Sequence, residues 1–166
     1  VIVATIRALK MHGGLEKKDL KKENINSLKK GLENLERHIQ NIKKFGLEPI
    51  VAINHFALDT KKEIDVVLNF CKDMNVQVSE CKHWAMGGKG TTDLAKKVVK
   101  TCKDSKKSNF KLLYEDNLNL WDKIEKIVKE IYRGNGITAN EDVKEQLSVF
   151  ENNGYKNLPC LLYTSP

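Results

Sequence analysis

Two permanent cations and a histidine lie close together near the start of the chain. Arg7, Lys10 and His12 follow the apolar run VIVAT and precede a Gly-Gly pair. A guanidinium can hold a phosphate or carboxylate through two hydrogen bonds, and an ammonium attracts the same groups as a point charge. We therefore predict an anion contact here, with Arg7 and Lys10 as candidate catalytic residues. A helix N-terminal turn with solvated charges explains the residues equally well, and His12 fits a general base or a histidine bonded to backbone.

A glycine-rich segment, HWAMGGKG at residues 83–90, is a second candidate for anion binding. A P-loop requires a glycine, four further residues and then Gly-Lys-Ser/Thr. The first position is occupied by His83 and the last by Gly90, so the pattern fails at both. Gly87 and Gly88 still allow backbone amides to approach an anion at the start of the following helix. We keep Gly87 and Gly88 as a possible anion loop, with a flexible capping turn as the alternative.

The pattern of apolar residues predicts an α/β fold that brings these segments to one edge of a sheet. Apolar runs at residues 1–5, 49–54 and 76–81 are typical of strands buried on both faces, and helical spacing follows them. This alternation favours a largely parallel sheet with flanking helices. Ligands bind beyond the C-terminal ends of such strands. The segments at those ends are RALKMHGG and NHFALDT, both predicted as loops, and the loop HWAMGGKG.

Local signals place the helix ends. Apolar stripes predict helices over residues 23–45 and about 119–132, and NLPCLL is a candidate final strand. Residues with capping chemistry stand at the predicted ends: Gly46, the pair Thr60 and Glu63 in a capping-box spacing, Thr91 or Thr92, and Asn140. The pattern shows no domain boundary, so we expect one domain over residues 1–160.

The composition is that of a folded globular protein with a basic excess. Hydrophobic residues make up 40% and charged residues 31%, and the net charge is +7. Lysines alternate with acids, as in KKDLKKEN, which is typical of solvated helix faces, so we predict no nucleic-acid partner. Polar residues interrupt every apolar run, so we predict no membrane partner. The cysteines lack paired metal-binding spacing, so we assign no metal ligand and expect free thiols in the cytoplasm.

Six blocks of sequence, taken in order, carry a family resemblance. They are VIVATIRALKMHGG, NLERHIQNIKKFG, PIVAINHFALDT, HWAMGGKG, FKLLYEDNLNLWDKIEKIVKEIY and GYKNLP. In this order they resemble the formate–tetrahydrofolate ligases, also called formyltetrahydrofolate synthetases, over about residues 1–159. The resemblance implies an internal or C-terminal piece of a P-loop NTPase-like fold, whose phosphate loop would lie upstream of this segment. Residues 161–166 depart from the family, and we interpret them as a truncation or assembly artefact.

The family's reaction is an ATP-dependent ligation. The resemblance implies that ATP, with magnesium, phosphorylates formate to formyl phosphate. The amine at position 10 of tetrahydrofolate then attacks the formyl carbon, giving 10-formyltetrahydrofolate, ADP and phosphate. We expect the full-length enzyme to be a cytoplasmic homo-oligomer acting on these small molecules, and the present segment to be inactive alone. A non-catalytic relative that uses the folate surface for sensing or assembly is the alternative, and a basic nucleic-acid-binding module is a more remote one.

The resemblance also implies which residues bind folate. Phe56 and Trp84 match a pair of family aromatics that sandwich the folate ring system. Each flat apolar face would contribute about 0.5–1.5 kcal/mol beyond area burial. Without the resemblance, both residues would be interpreted as core aromatics. Ala57 replaces the usual family proline, which predicts a less rigid loop, and Met86 replaces a frequent lysine. The neighbouring histidines at 55 and 83 could also meet the ligand.

Overall fold

The computed structural model describes residues 1–104 and 109–160. It divides into two compact units, Val1–Phe110 and the part from Lys111 onward. Within the described ranges, no helix combines the length and the apolar character needed to cross a membrane.

The first unit is built on a parallel sheet, as predicted. Strands β1 (Ile2–Ala4), β2 (Ile50–Asn54) and β3 (Gln77–Cys81) lie in the order β1-β2-β3, with β2 in the centre. Ala4 pairs with Ile53, and Ile53 pairs with Glu80. All three strands run in one direction, so their C-terminal ends meet at a single edge. The α/β class with a parallel sheet and flanking helices is therefore confirmed.

Helices α2 (Ile25–Lys44) and α3 (Lys61–Asp73) cover one face of the sheet. Helix α3 begins where the sequence predicts, because the Thr60–Glu63 capping box forms both of its hydrogen bonds. Helix α2 begins two residues after its predicted start, where Asn24 accepts the N–H of Ser27. Gly46, with φ +73°, follows the end of α2. The apolar stripes of both helices enter one core with the β1 and β2 side chains: Leu28, Leu32, Leu35, Ile39, Ile64, Val67, Cys71, Ala4, Val51 and Ile53.

Residues 6–12 form a helix, α1 (Ile6–His12), and the prediction of a loop over residues 7–14 was wrong. Thr5 caps α1 by accepting the N–H of Ala8, and Ile6 and Leu9 enter the core. The helix approaches α2 so closely that a Cβ at Gly31 would lie 1.8 Å from the carbonyl oxygen of Leu9. Tertiary packing therefore stabilises a helix too short to be evident from periodicity.

The glycine-rich segment is also helical, contrary to the prediction of a loop. A short helix α4 (His83–Met86) is followed by a 3₁₀ helix over Gly87–Thr91, which leads directly into α5 (Thr92–Asp104). Thr91 and Thr92 donate their hydroxyls to the carbonyls of Gly88 and Lys89, at 3.1 and 3.2 Å. The prediction that one of these threonines caps α5 was wrong, because no free helix end is left for it to cap.

Helix α5 packs on the opposite face of the sheet from α2 and α3. Ser79 donates to Asp93 at 2.6 Å, and Lys97 donates to the carbonyl of Val78 at 2.7 Å. Both contacts are made by β3, which is one of the two edge strands of the sheet. At the other edge, Val3 in β1 and the preceding Val1 are each 67% exposed.

The second unit contains α6 (Leu120–Ile127) and α7 (Glu141–Asn152). The Asn140 cap forms as predicted, but the helix expected to reach residue 132 turns into a π-helical segment at Val128–Tyr132. Residues 158–160 are not a strand, so the final strand predicted over NLPCLL is not found there, and its last two residues lie outside the described range.

Candidate functional site

The C-terminal edge of the sheet carries the aromatic candidates. Phe56 follows β2, and Trp84 lies in α4 just after β3. Their ring centroids are 6.3 Å apart and their planes make an angle of 38°. Phe56 is partly buried and Trp84 is 75% exposed. Burial in the core does not explain an indole this exposed, and exposed aromatic groups of this kind often mark binding surfaces.

Arg7 joins the aromatic pair from the third strand end. Its Cζ atom lies 5.2 Å from the centroid of Phe56, within the range of a cation–π contact. Segments after β1, β2 and β3 thus contribute Arg7, Phe56 and Trp84 to one cluster, which we call the edge cluster. Centroid separations of about 4.5–7 Å are those of aromatic rings in direct contact. A flat ligand placed between Phe56 and Trp84 would therefore have to separate the rings.

A tight turn holds the Phe56 loop. The N–H of Phe56 donates to Oδ2 of Asp59 at 2.8 Å, and the N–H of Asp59 donates to the carbonyl of Phe56 at 2.9 Å. Thr60 then caps α3. Asp59 and Thr60 are therefore occupied in fixing the loop. Ala57, the position where the family resemblance leads us to expect proline, is exposed on this turn.

The Trp84 loop is fixed by its backbone. The carbonyl of Lys82 accepts the N–H groups of Ala85 and Met86, and the N–H of Lys82 donates to the carbonyl of Gly90 at 3.0 Å. A Cβ at Gly90 would lie 2.5 Å from the Lys82 carbonyl group, so glycine is needed for this close approach. The glycine-rich segment thus folds back over the residue that begins α4.

The two candidate anion-loop glycines lie at the surface of this turn. Gly87 has φ +56° and Gly88 is exposed, with no atom within 4 Å of an added Cβ on either residue. The N–H of Gly87 already donates to the carbonyl of His83. That amide serves the turn itself, whereas the space above both residues is open.

Lys10 lies inside the fold and is only 2% exposed. Its Nζ is 2.9 Å from Oε1 of Glu63 and 2.8 Å from the carbonyl oxygen of Lys22. Glu63 is fully buried and also accepts the N–H groups of Asn24 and Thr60. Burial alone would raise the pKa of Glu63, but the hydrogen bonds from Lys10 and the two backbone groups outweigh it and lower that pKa. The pair joins α1, the segment before α2 and the start of α3.

Glu80 was not predicted as a site residue, yet it contacts both loops of the edge cluster. Its Oε1 atom accepts a hydrogen bond from Nδ1 of His55 and lies 3.1 Å from Nζ of Lys82. Burial would raise the pKa of Glu80, but the bonds from Lys82 and His55 lower it below its usual value. The contact could be predicted only from the strand register, because that register decides which residues of β2 and β3 are neighbours. His12 and His83 are both exposed, at the end of α1 and the start of α4.

Asn54, the last residue of β2, is a further polar group at this edge that the sequence analysis did not single out. Its Oδ1 atom is buried, and it has no hydrogen-bond partner within residues 1–104 and 109–160. A buried acceptor left unpaired is unfavourable. Asn54 ends the apolar run at residues 49–54, and such a run does not indicate an unpaired polar group at its end.

The fold and the edge cluster define an α/β protein with an exposed aromatic pair and an arginine at the C-terminal edge of a parallel sheet. A family model described as formate–tetrahydrofolate ligase matches residues 1–165. The chain belongs to the formate–tetrahydrofolate ligase family, which confirms the resemblance noted in the sequence.

Individual relatives agree with the family match. The chain is 51% identical over 165 residues to a formate–tetrahydrofolate ligase of Pelagibacter ubique strain HTCC1062. It is 49% identical over 165 residues to enzymes of the same name from Staphylococcus aureus strains JH9 and Newman. Each match includes 99% of this chain but only 29% of the relative. The chain thus spans less than a third of the length of the curated relatives it matches.

Proposed function

We propose that this chain forms part of the folate-binding surface of an ATP-dependent formate–tetrahydrofolate ligase. The observation that supports this most directly is the edge cluster, where Phe56 and Trp84 meet beyond two parallel strands with Arg7 against the Phe56 ring. The rings would stack on the flat ring system of tetrahydrofolate, and the exposed Trp84 would move to admit it. Stacking of this kind is worth about 0.5–1.5 kcal/mol per ring beyond area burial.

Arg7 is the cation of this site best placed to meet an anionic group. Its guanidinium lies on the Phe56 face, where it can bind formate, a phosphate or a folate carboxylate in a bidentate manner. Lys10, our other catalytic candidate, is paired with Glu63. We propose that Lys10 acts through α1, by fixing the helix that carries Arg7. Gly87 and Gly88 stay candidates for an anion contact through the open space above their backbone.

The whole reaction belongs to the longer protein of this family. We propose that it transfers a phosphoryl group from ATP to formate and then the formyl group to tetrahydrofolate. Within residues 1–104 and 109–160, no three His, Cys, Asp or Glu side chains are grouped to hold a metal ion. This chain's part is to bind and orient the folate.

A titration of tetrahydrofolate against this chain tests the site. Phe56→Ala and Trp84→Ala should each weaken binding by about 2- to 13-fold, the equivalent of losing one stacking contact. Phe110→Ala is the matched control. Phe110 is an exposed aromatic residue, and the centroid of its ring lies 6.4 Å from that of Phe45, the residue that follows α2. Unchanged affinity in both site variants would make Phe56 and Trp84 structural residues only.

A second assay separates binding from catalysis. The 166-residue chain alone should release no ADP from ATP in a formate-dependent manner, since its glycine-rich segment lacks the P-loop pattern. The full-length Staphylococcus aureus ligase, assayed in parallel, serves as the positive control. Formate-dependent ADP release by this chain would show that it holds a complete phosphate site.

A further inference from the structure

Glu80 joins the two loops that carry the aromatic pair. Ile53 pairs with Glu80 in the sheet, and side chains two residues apart on a strand share a face. His55 and Lys82 are therefore neighbours on the face that also carries Glu80. One carboxylate oxygen, Oε1 of Glu80, contacts Nδ1 of His55 and lies 3.1 Å from Nζ of Lys82. A single acidic group thus connects the ends of β2 and β3.

Both partners of Glu80 are next to the aromatic residues in the chain. His55 immediately precedes Phe56, and its N–H donates to the carbonyl of Cys81 at 3.0 Å, where strand pairing stops. Lys82 provides the carbonyl that begins α4, the helix of Trp84. Past the last strand pair, the His55–Cys81 backbone bond and the side-chain contacts of Glu80 join the two loops. The Glu80 contacts lie at the base of both loops.

Glu80 is suited to this task by its charge and its partial burial. Its side chain is 29% exposed, against 23% for His55 and 46% for Lys82. Ion pairs this close to solvent contribute little to global stability. A group of this kind can nevertheless set local geometry, as the outer partners of ligand-binding residues do. Its removal should therefore alter the site without unfolding the unit.

The geometry points to Glu80 as a positioning residue, which sets the spacing of Phe56 and Trp84 for a flat ligand through His55 and Lys82. This inference rests on the proposed folate surface and goes beyond it by naming a residue that acts on the aromatic pair through His55 and Lys82. Glu80 is not a catalytic residue in this scheme. Its effect should depend on the presence of both rings, and that dependence is measurable.

The first test measures tetrahydrofolate affinity in Glu80→Ala and Glu80→Gln. Alanine should weaken binding by about threefold to tenfold, while glutamine, which still accepts hydrogen bonds, should have a smaller effect. Glu125→Gln is the matched control: its carboxylate is 34% exposed and lies 3.1 Å from Lys129 Nζ, in the second unit. The thermal midpoint should be the same in Glu80→Gln and Glu125→Gln.

A double-mutant cycle separates positioning from a merely structural role. In a Phe56→Ala background, Glu80→Ala should cause a smaller loss of affinity than in wild type, because one of the two rings whose spacing Glu80 sets is gone. Independent losses that multiply would overturn the inference. If Phe56→Ala weakens binding but Glu80→Ala does not, the inference fails while the folate surface stands. If the unaltered chain does not bind tetrahydrofolate, both fail.

A measurement without ligand tests the same idea. In a Trp121→Phe background, Trp84 is the remaining tryptophan, since the chain has two. Time-resolved fluorescence anisotropy should then show a larger fast motion of Trp84 in Glu80→Ala than in Glu125→Gln. Identical anisotropy decays in the two variants would show that Glu80 does not hold the loop.

Discussion

Lys10 in the first unit and Lys123 in the second are both buried, at 2% and 0% exposure, but different groups stabilise their charges. Lys10 faces the carboxylate of Glu63 at 2.9 Å. Lys123 donates to the backbone carbonyls of Lys156 and Leu158, at 2.6 and 3.1 Å, and its Nζ lies 5.8 Å from the centroid of the Tyr114 ring. The first arrangement is an ion pair that links three segments, and the second is a charge held by dipoles and an aromatic face.

The two arrangements should respond differently when one of their partners is removed. A buried pair loses much of its solvation, and removal of one partner leaves the other charge uncompensated. An ammonium bound by carbonyls has no such partner to strand, because its removal leaves neutral groups that water can reach. We therefore expect the first unit to depend far more on its pair than the second depends on Lys123. The Lys10–Glu63 pair fixes α1, the helix that also carries Arg7.

The largest effect is expected for Glu63→Ala. It strands the Lys10 ammonium and removes half of the α3 capping box, so the free energy of unfolding of the first unit should fall by about 3–5 kcal/mol. Urea denaturation combined with hydrogen exchange on peptides from each unit would measure this. The double variant Lys10→Met/Glu63→Leu should lose less than Glu63→Ala. An equal or greater loss in the double variant would contradict the stranded-charge explanation.

A smaller effect is expected for Lys123→Met, which keeps the length of the side chain but removes its charge. Two charge-assisted hydrogen bonds are lost, so the second unit should be destabilised by about 1–3 kcal/mol, measured by the same exchange experiment. Lys126→Met on the same helix is the control, because the Lys126 side chain is 47% exposed. A loss larger than that of Glu63→Ala would reverse the comparison between the units.

The smallest effect concerns pH. The pKa of Glu63 is lower in the folded protein than its ordinary value of 4.5, so its contribution to stability is fully present above that value. This contribution is lost as the pH falls through the folded pKa, because Glu63 is then protonated and its ion pair with Lys10 is broken. Unfolding curves of wild type and Glu63→Gln should therefore converge as the pH is lowered below 4.5. Curves that stay parallel down to the acid limit would show that the pair does not titrate with folding.

The sheet and its ligand-facing edge could be predicted because their signals are local. Apolar runs gave β1, β2 and β3, and the Thr60–Glu63 spacing gave the start of α3. Parallel strands align their ends, so Phe56 and Trp84 were expected at one edge. The family resemblance supplied the expected ligand, which the spacing of these residues does not specify.

The features that were missed depend on contacts between distant segments. Helix α1 is stabilised by its close approach to Gly31, and Lys10 is buried by Glu63, far along the chain. Likewise, Glu80 meets His55 only once the strand register is known. Charge spacing along the sequence made Lys10 resemble a solvent-facing ligand. Its packing could not be read from its neighbours, because the counterion lies at the start of another helix.

Cys71 gives the core of the first unit a chemical reporter of its own opening. Its side chain is fully buried in α3, and burial raises the pKa of its thiol to about 11. The reactive form of a cysteine is the thiolate, so an alkylating reagent should modify the exposed Cys102 rapidly and Cys71 only when the core opens. The rate of Cys71 alkylation would thus time the transient exposure of the helices that support the edge cluster.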